Sequence, residues 1–229
     1  MEFKDTKINI LGQDYSIMYK TEEEDAYLEN NLGTCDSTRK IITIKEWEEG
    51  IGTLDKKVSM NETIRHEIIH AFLSESGLQN CSNNAQDEEM IDWLSLQIPK
   101  MIKSCKNYID ENYNGEIKIN TSDINILGSV YKIRFANKEN DEVLINKDLY
   151  TDSSTKRIVF NDKLKNEPTV FDFDNPLHNI NTIIRKDIIY CYIWECGLGR
   201  GVKWSRNDNL IEWIARQFPK MIKAMEEYL

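Results

Sequence analysis

The sequence predicts an α+β protein made of two tandem copies of one small domain. Two pairs of matching segments carry this prediction: residues 8–12 and 124–128 (INILG in both), and residues 97–103 and 217–223. Self-similarity at a long, fixed spacing is the signature of a repeated structural unit. We therefore place the first copy at residues 1–112 and the second at residues 113–229.

Each copy is expected to begin with a small antiparallel β-sheet. Apolar residues alternate with polar ones on both sides of a polar turn, at Ile8, Ile10, Tyr15, Ile17 and Tyr19. This alternation is typical of a β-hairpin. Residues 40–44 (KIITI) predict a further strand after a turn around residues 35–37.

Two helices are expected to follow the sheet. The first covers about residues 61–76 and ends at Gly77, since glycine is favoured just after a helix. The second begins near Gln86 and carries apolar residues at helical spacing as far as Met101. Pro99 is expected to kink this helix rather than end it.

The bulk composition excludes several classes of protein. The chain has 229 residues, 40% of them hydrophobic and 30% charged, as in soluble globular proteins. Its net charge of −10, without a basic stripe, argues against nucleic-acid binding. No segment predicts a membrane span or a signal peptide, and the five cysteines lack CxxC spacing. These features predict a cytoplasmic protein with free thiols.

An HExxH motif lies in the first predicted helix, at His66, Glu67 and His70. Residues four apart share one face of a helix, so both imidazoles can reach one Zn²⁺ while Glu67 polarises a metal-bound water. The alternative is a solvated helix without a metal. Apolar neighbours such as Ile68 and Phe72 favour the zinc site, because a buried charged cluster needs a partner.

A catalytic zinc usually has a third protein ligand, and Glu88 is our choice. Glu88 and Asp92 are four apart near the start of the second helix. One can therefore bind metal while the other accepts the free ring N–H of a histidine ligand. Glu89 is the rival ligand, and helical geometry does not decide between them. The alternative reading is an acidic first turn that interacts only with the helix dipole.

The second copy has lost these chemical groups but keeps their apolar neighbours. Lys186, Asp187 and Tyr190 stand where the first copy has the HExxH residues, and Asp208 and Asn209 replace the two glutamates. An ammonium cannot ligate zinc, so we expect no catalytic metal in this copy. It is expected to pack against the first copy, in an intramolecular two-fold pseudo-dimer, or to present a surface to a partner.

The segment from Arg65 to Leu78, followed by Glu88 and Asp92, resembles the gluzincin metallopeptidases. It is most similar to the minimal zincins encoded by phages and prophages. The resemblance implies a zinc-dependent hydrolase in which Glu67 is the general base for attack on a peptide carbonyl. Tyr15, Tyr19 and Arg65 are the candidates for the group that stabilises the transition state.

Two functions are compatible with these residues. The first is a zinc metallopeptidase of a bacterial or phage-infected cell that cleaves a protein or peptide substrate. The second is a non-catalytic binding protein on a zincin scaffold, such as a phage counter-defence or regulatory factor. The site chemistry favours the enzyme.

Overall fold

The computed structural model describes residues 4–46, 55–109, 119–165 and 176–229. In these ranges the chain forms two four-stranded β-sheets and five α-helices, which is an α+β fold. None of the helices described is long and apolar enough to cross a membrane. The chain divides into two compact units, Met1–Pro99 with Pro219–Leu229, and Lys100–Phe218.

The sheet of the first unit has the strand order β1-β2-β4-β3. Its strands are β1 (Thr6–Ile10), β2 (Gln13–Lys20), β3 (Gly33–Asp36) and β4 (Ile41–Lys45). The hairpin between β1 and β2 turns at Leu11 and Gly12, whose φ angles are 52° and 90°. A two-residue turn with both φ values positive matches the twist of the strands it joins. This requirement explains why a glycine recurs at residues 12 and 128.

The prediction of a purely antiparallel sheet is wrong, because β2 and β4 pair in parallel. After β2 the chain turns through residues 21–32. Strand β3 then forms the edge of the sheet, with one strand position left between it and β2. The tight turn after β3 then brings β4 into the gap between β2 and β3. Local alternation of apolar residues does not specify this long-range pairing.

The helices of the first repeat are α1 (Lys56–Glu75), the single turn α2 (Leu78–Cys81) and α3 (Glu88–Cys105). Helix α1 begins earlier than predicted, because the Asp55 side chain accepts a hydrogen bond from the N–H of Val58 and caps the helix. Its end is confirmed, since Gly77 has a φ of 73°. Helix α3 continues through Pro99 to Cys105.

The second unit repeats this design. Its strands are β5 (Ile124–Ile126), β6 (Ser129–Ala136), β7 (Leu149–Asp152) and β8 (Arg157–Asn161), in the order β5-β6-β8-β7. The helices of the second repeat are α4 (Pro176–Glu195) and α5 (Asp208–Met225). Strands β6 and β8 are again parallel.

A partly buried carboxylate attaches α1 to the sheet. Glu75 accepts hydrogen bonds from the Tyr15 hydroxyl (2.5 Å) and from the Lys40 ammonium. In the second unit Glu195 has the equivalent partners, which include Tyr131. Tyr15 therefore supports the fold of its unit rather than standing at the HExxH residues.

The compact units do not follow the repeat boundary in the sequence. The boundary predicted near residue 112 lies outside the described residues. The first unit includes Pro219–Leu229, the last residues of the second repeat, and the second unit begins at Lys100, within the first repeat. In the first unit, the buried Arg65 donates from Nη1 to the carbonyl of Tyr228 (2.6 Å). In the second, Arg185 donates to the carbonyl of Tyr108 (2.5 Å). Each repeat thus supplies an acceptor for an arginine of the other.

Removing Tyr228 and Leu229 together is expected to destabilise the first unit by about 1–3 kcal/mol. The deletion takes away the acceptor of a buried guanidinium and the hydroxyl bonded to Thr6 (3.0 Å). Urea denaturation measures the effect. Deleting Leu229 alone is the control, because it keeps the oxygen of Tyr228. Equal stability of the two truncated chains would show that the Arg65 contact is dispensable.

Candidate metal centre

The HExxH residues lie on α1, and Glu88 is the first residue of α3. Buried residues of α1, among them Ile64, Ile68 and Phe72, pack into the core and fix the rotation of the helix. His66 and His70 are each partly buried, four residues apart on one face. This orientation directs both imidazoles towards the start of α3.

Three ligand atoms converge at this point. His66 Nε2 lies 3.0 Å from His70 Nε2, and Glu88 Oε2 lies 3.3 Å and 3.4 Å from these two nitrogens. Ligands of a tetrahedral zinc, with bonds of about 2.0–2.1 Å, lie roughly 3.3–3.4 Å apart. Two imidazoles and a carboxylate are also a known zinc donor set. The residues present therefore fit Zn²⁺.

Asp92 contacts the far side of one imidazole. Its Oδ1 lies 2.9 Å from His66 Nδ1, so the carboxylate is placed to accept a hydrogen bond from that nitrogen and to leave Nε2 for a metal. Glu88, rather than Glu89, is the acidic residue that belongs to the group of candidate ligands in the described part of the chain. Helical spacing alone had left these two residues equivalent.

Burial changes the protonation of two residues here. It raises the pKa of Glu67 to about 8, with a further rise from the charge of Glu88, and the side chain is only 6% exposed. Burial also lowers the pKa of His70 below the usual value. A neutral imidazole is the form that binds a metal, and a carboxyl that titrates near neutral pH suits proton transfer.

Sequence reasoning missed Gly33, the first residue of β3. A Cβ atom at this position would lie 2.8 Å from Cγ2 of Thr63 and 2.9 Å from Cγ of Glu67. Only a glycine lets the strand approach α1 this closely. A signal was available, because the second repeat has Leu149 at the matching position, beside the shorter Asp187.

Replacing Gly33 with Ala is expected to destabilise the protein by about 1–3 kcal/mol and to displace Glu67. Thr63 is β-branched and cannot turn away easily. Thermal unfolding measures the effect. The control is Gly201→Ala, since a Cβ at Gly201 meets no atom within 4 Å. Equal melting temperatures for the two variants would contradict the close packing.

In the second repeat an ammonium group stands among the equivalent carboxylates. Lys186 Nζ lies 2.7 Å from Asp208 Oδ2 and 3.4 Å from Glu212 Oε2. The Tyr190 hydroxyl donates to Asp208 Oδ1 (2.9 Å). A covalently attached cation therefore pairs with the carboxylates that match Glu88 and Asp92.

Asp187, the counterpart of Glu67, gives a pH-dependent prediction. Burial raises its pKa to about 7, well above that of an aspartate in an unfolded chain. Between these two pKa values the folded state holds a proton that the unfolded state releases, so stability falls as the pH rises. The free energy of unfolding of Asp187→Asn, relative to that of wild type, should therefore increase by about 1–3 kcal/mol from pH 5 to pH 8. Urea unfolding at both pH values measures this.

Asp152→Asn is the control, because its effect on stability should be the same at pH 5 and at pH 8. Hydrogen bonds from Ser154 and Thr155 lower the pKa of Asp152 to about 2. Its ionised form is therefore favoured in the folded state, and its replacement should cost stability at neutral pH. A pH-independent stability difference for Asp187→Asn would refute the prediction.

Comparison of the chain with protein-family models, curated proteins and solved structures found no match. The likeness to the minimal zincins stays a prediction that rests on residues 65–78, Glu88 and Asp92.

Proposed function

We propose that the first repeat is a zinc-dependent peptide hydrolase. The observation that carries this proposal is the convergence of His66, His70 and Glu88, whose ligand atoms lie within 4.8 Å of one another. The next residue in α1 after His66 is the buried Glu67, a carboxyl suited to act as the base. The internal comparison adds support, since Lys186 provides a cation at the same place in the second repeat.

Each residue has a separate role in this proposal. The two histidines and Glu88 hold the metal, and Asp92 orients His66 through its Nδ1 atom. When bound, Zn²⁺ supplies Lewis-acid polarisation of a carbonyl oxygen and of water. Glu67 accepts the proton of the attacking water and returns it to the leaving amine.

Strand β3 is suited to bind an extended peptide beside these residues. It is an edge strand, and the hydrogen bond from Lys45 N to Leu32 O (2.9 Å) fixes its pairing with β4. Bonded and non-bonded pairs alternate along an antiparallel ladder, so the N–H and C=O of Gly33 face away from β4. A cleft of about 530 Å³ lies here, lined by Gly33, His66 and Glu67 among others. A substrate strand can pair with such an edge.

The test is cleavage of a denatured protein mixture by the zinc-loaded chain, with new peptide termini identified by mass spectrometry. Cleavage that a chelator stops and zinc restores supports the proposal. A zinc-loaded protein that produces no new termini from any mixture would contradict it.

A non-catalytic binding protein on the same scaffold is the second candidate. The second repeat favours it, because that repeat keeps its sheet and helices while Lys186 occupies the place of a ligand. In this case the metal is structural, and loss of Glu67 leaves the function intact.

A further inference from the structure

The second unit has a cleft at the position that matches the candidate metal centre. Its volume is about 610 Å³, and Lys147, Lys186 and Arg206 line it together with Asp187 and Asp208. Asp208 is already paired with Lys186. We call the cleft that these five residues line the cationic cleft.

The cleft of the first unit overlaps this place only in part, and its lining contains no lysine or arginine among the described residues. It is lined by carboxyl groups at Asp55, Glu62, Glu67 and Asp92, of which Glu67 has a counterpart, Asp187, in the lining of the cationic cleft. Three cations in or beside the cationic cleft lie at positions where the first repeat has neutral residues. Lys147, Trp194, Arg200 and Arg206 stand where the first repeat has Asn31, Ser74, Asn80 and Gln86. In a chain with a net charge of −10, Lys147 and Arg206 add positive charge to the cleft lining, and Arg200 adds it beside Trp194.

An exposed aromatic ring lies beside these cations. Trp194 lines the cleft with 43% of its surface exposed. The Arg200 guanidinium carbon lies 6.0 Å from the centre of this ring. Tryptophan and arginine are among the residues enriched at the energetic centres of protein interfaces.

The cleft also contains a strand edge. Strand β7 is at the edge of its sheet, and the hydrogen bond from Asn161 N to Asp148 O (2.8 Å) fixes its pairing with β8. By the alternation of an antiparallel ladder, the backbone groups of Leu149 and Thr151 face away from β8. They can pair with one further extended chain.

We propose that the cationic cleft binds an extended, acidic peptide segment of a partner protein. The segment pairs with β7, while Lys147 in the cleft lining and Arg200 beside Trp194 bind its carboxylates. Arg206 adds positive charge, and its Nε and Nη2 donate to the carbonyls of Gly199 and Arg200. Charge-assisted hydrogen bonds to carboxylates are stronger than those between neutral groups. The strand edge favours a peptide over a small anion, which needs no backbone pairing. On the proposed function Lys186 stands in the place of the ligand His66, so this cleft binds without cleaving.

Fluorescence anisotropy tests the proposal on the full chain carrying Glu67→Gln, so that the first repeat does not cleave the probe. The probe is a fluorescein-labelled octapeptide of alternating Glu and Leu. We expect saturable binding that weakens as salt is added. Lys147→Glu and, separately, Arg200→Glu should each weaken binding about tenfold or more. Asn31→Glu makes the matching change in the first repeat and should leave the affinity unchanged.

Two further probes separate the alternatives. An octapeptide of alternating Lys and Leu should show no binding that depends on Lys147, and backbone N-methylation of the acidic peptide should abolish its binding. The proposal is overturned if Lys147→Glu weakens the basic peptide as much as the acidic one, or if Lys147→Glu has no effect on the acidic peptide. It is also overturned if free glutamate at the same concentration displaces the probe, which would indicate a small-anion site.

Discussion

Replacing Glu67 with Gln is expected to lower the rate of peptide hydrolysis by about 10²–10⁴-fold while zinc remains bound. Glutamine has nearly the same shape, but it cannot accept a proton from water. The zinc is expected to remain because its proposed ligands are His66, His70 and Glu88. The measurement is the cleavage rate of zinc-loaded wild type and variant on one substrate, with the zinc content of both samples.

Asp187→Asn is the matched control for this experiment. It makes the same change, carboxylate to amide, at the corresponding position of the second repeat, and it should leave the cleavage rate unchanged. Full activity in Glu67→Gln would contradict the assignment of the base. Equal losses in the two variants would indicate a general effect of the substitution.

Zinc is expected to stabilise the folded protein, and His70→Ala is expected to remove that effect. A ligand that binds only the native state stabilises it by about 4 kcal/mol at a thousandfold excess over its Kd. The proposed site joins α1 to α3, so it exists only when both helices are packed. Thermal unfolding with added zinc and with a chelator measures the difference.

Tyr190→Ala is the control, since Tyr190 corresponds to His70. It loses the hydrogen bond to Asp208, so its stability should fall equally with and without zinc. A zinc-dependent stabilisation of His70→Ala as large as that of wild type would place the metal elsewhere.

Much of the fold could be predicted because its determinants are local. The turn at Leu11 and Gly12 and the helix end at Gly77 depend on backbone conformations that few residues adopt. The parallel pairing of β2 and β4 depends instead on the path of the chain after β2, which no local pattern records. For this reason the alternation of apolar residues suggested an antiparallel sheet throughout.

The candidate site also combines features that local sequence predicts with features that depend on long-range packing. The spacing of His66 and His70 on one helix places both imidazoles on one face. Which acidic residue of α3 reaches them depends on how two helices pack, and only the structure brings Glu88 rather than Glu89 to the imidazoles. The need for Gly33 arises from a contact across the sheet and helix layers. The comparison with Leu149 in the second repeat was the only sequence signal for it.

The zinc content of the purified protein tests the central claim most directly. Elemental analysis should find one zinc per chain in wild type, in Glu67→Gln and in Lys186→Ala, and none in His66→Ala. That pattern would place the metal on the first repeat. An absence of zinc from wild type after incubation with zinc, or an equal zinc content in His66→Ala, would contradict the account.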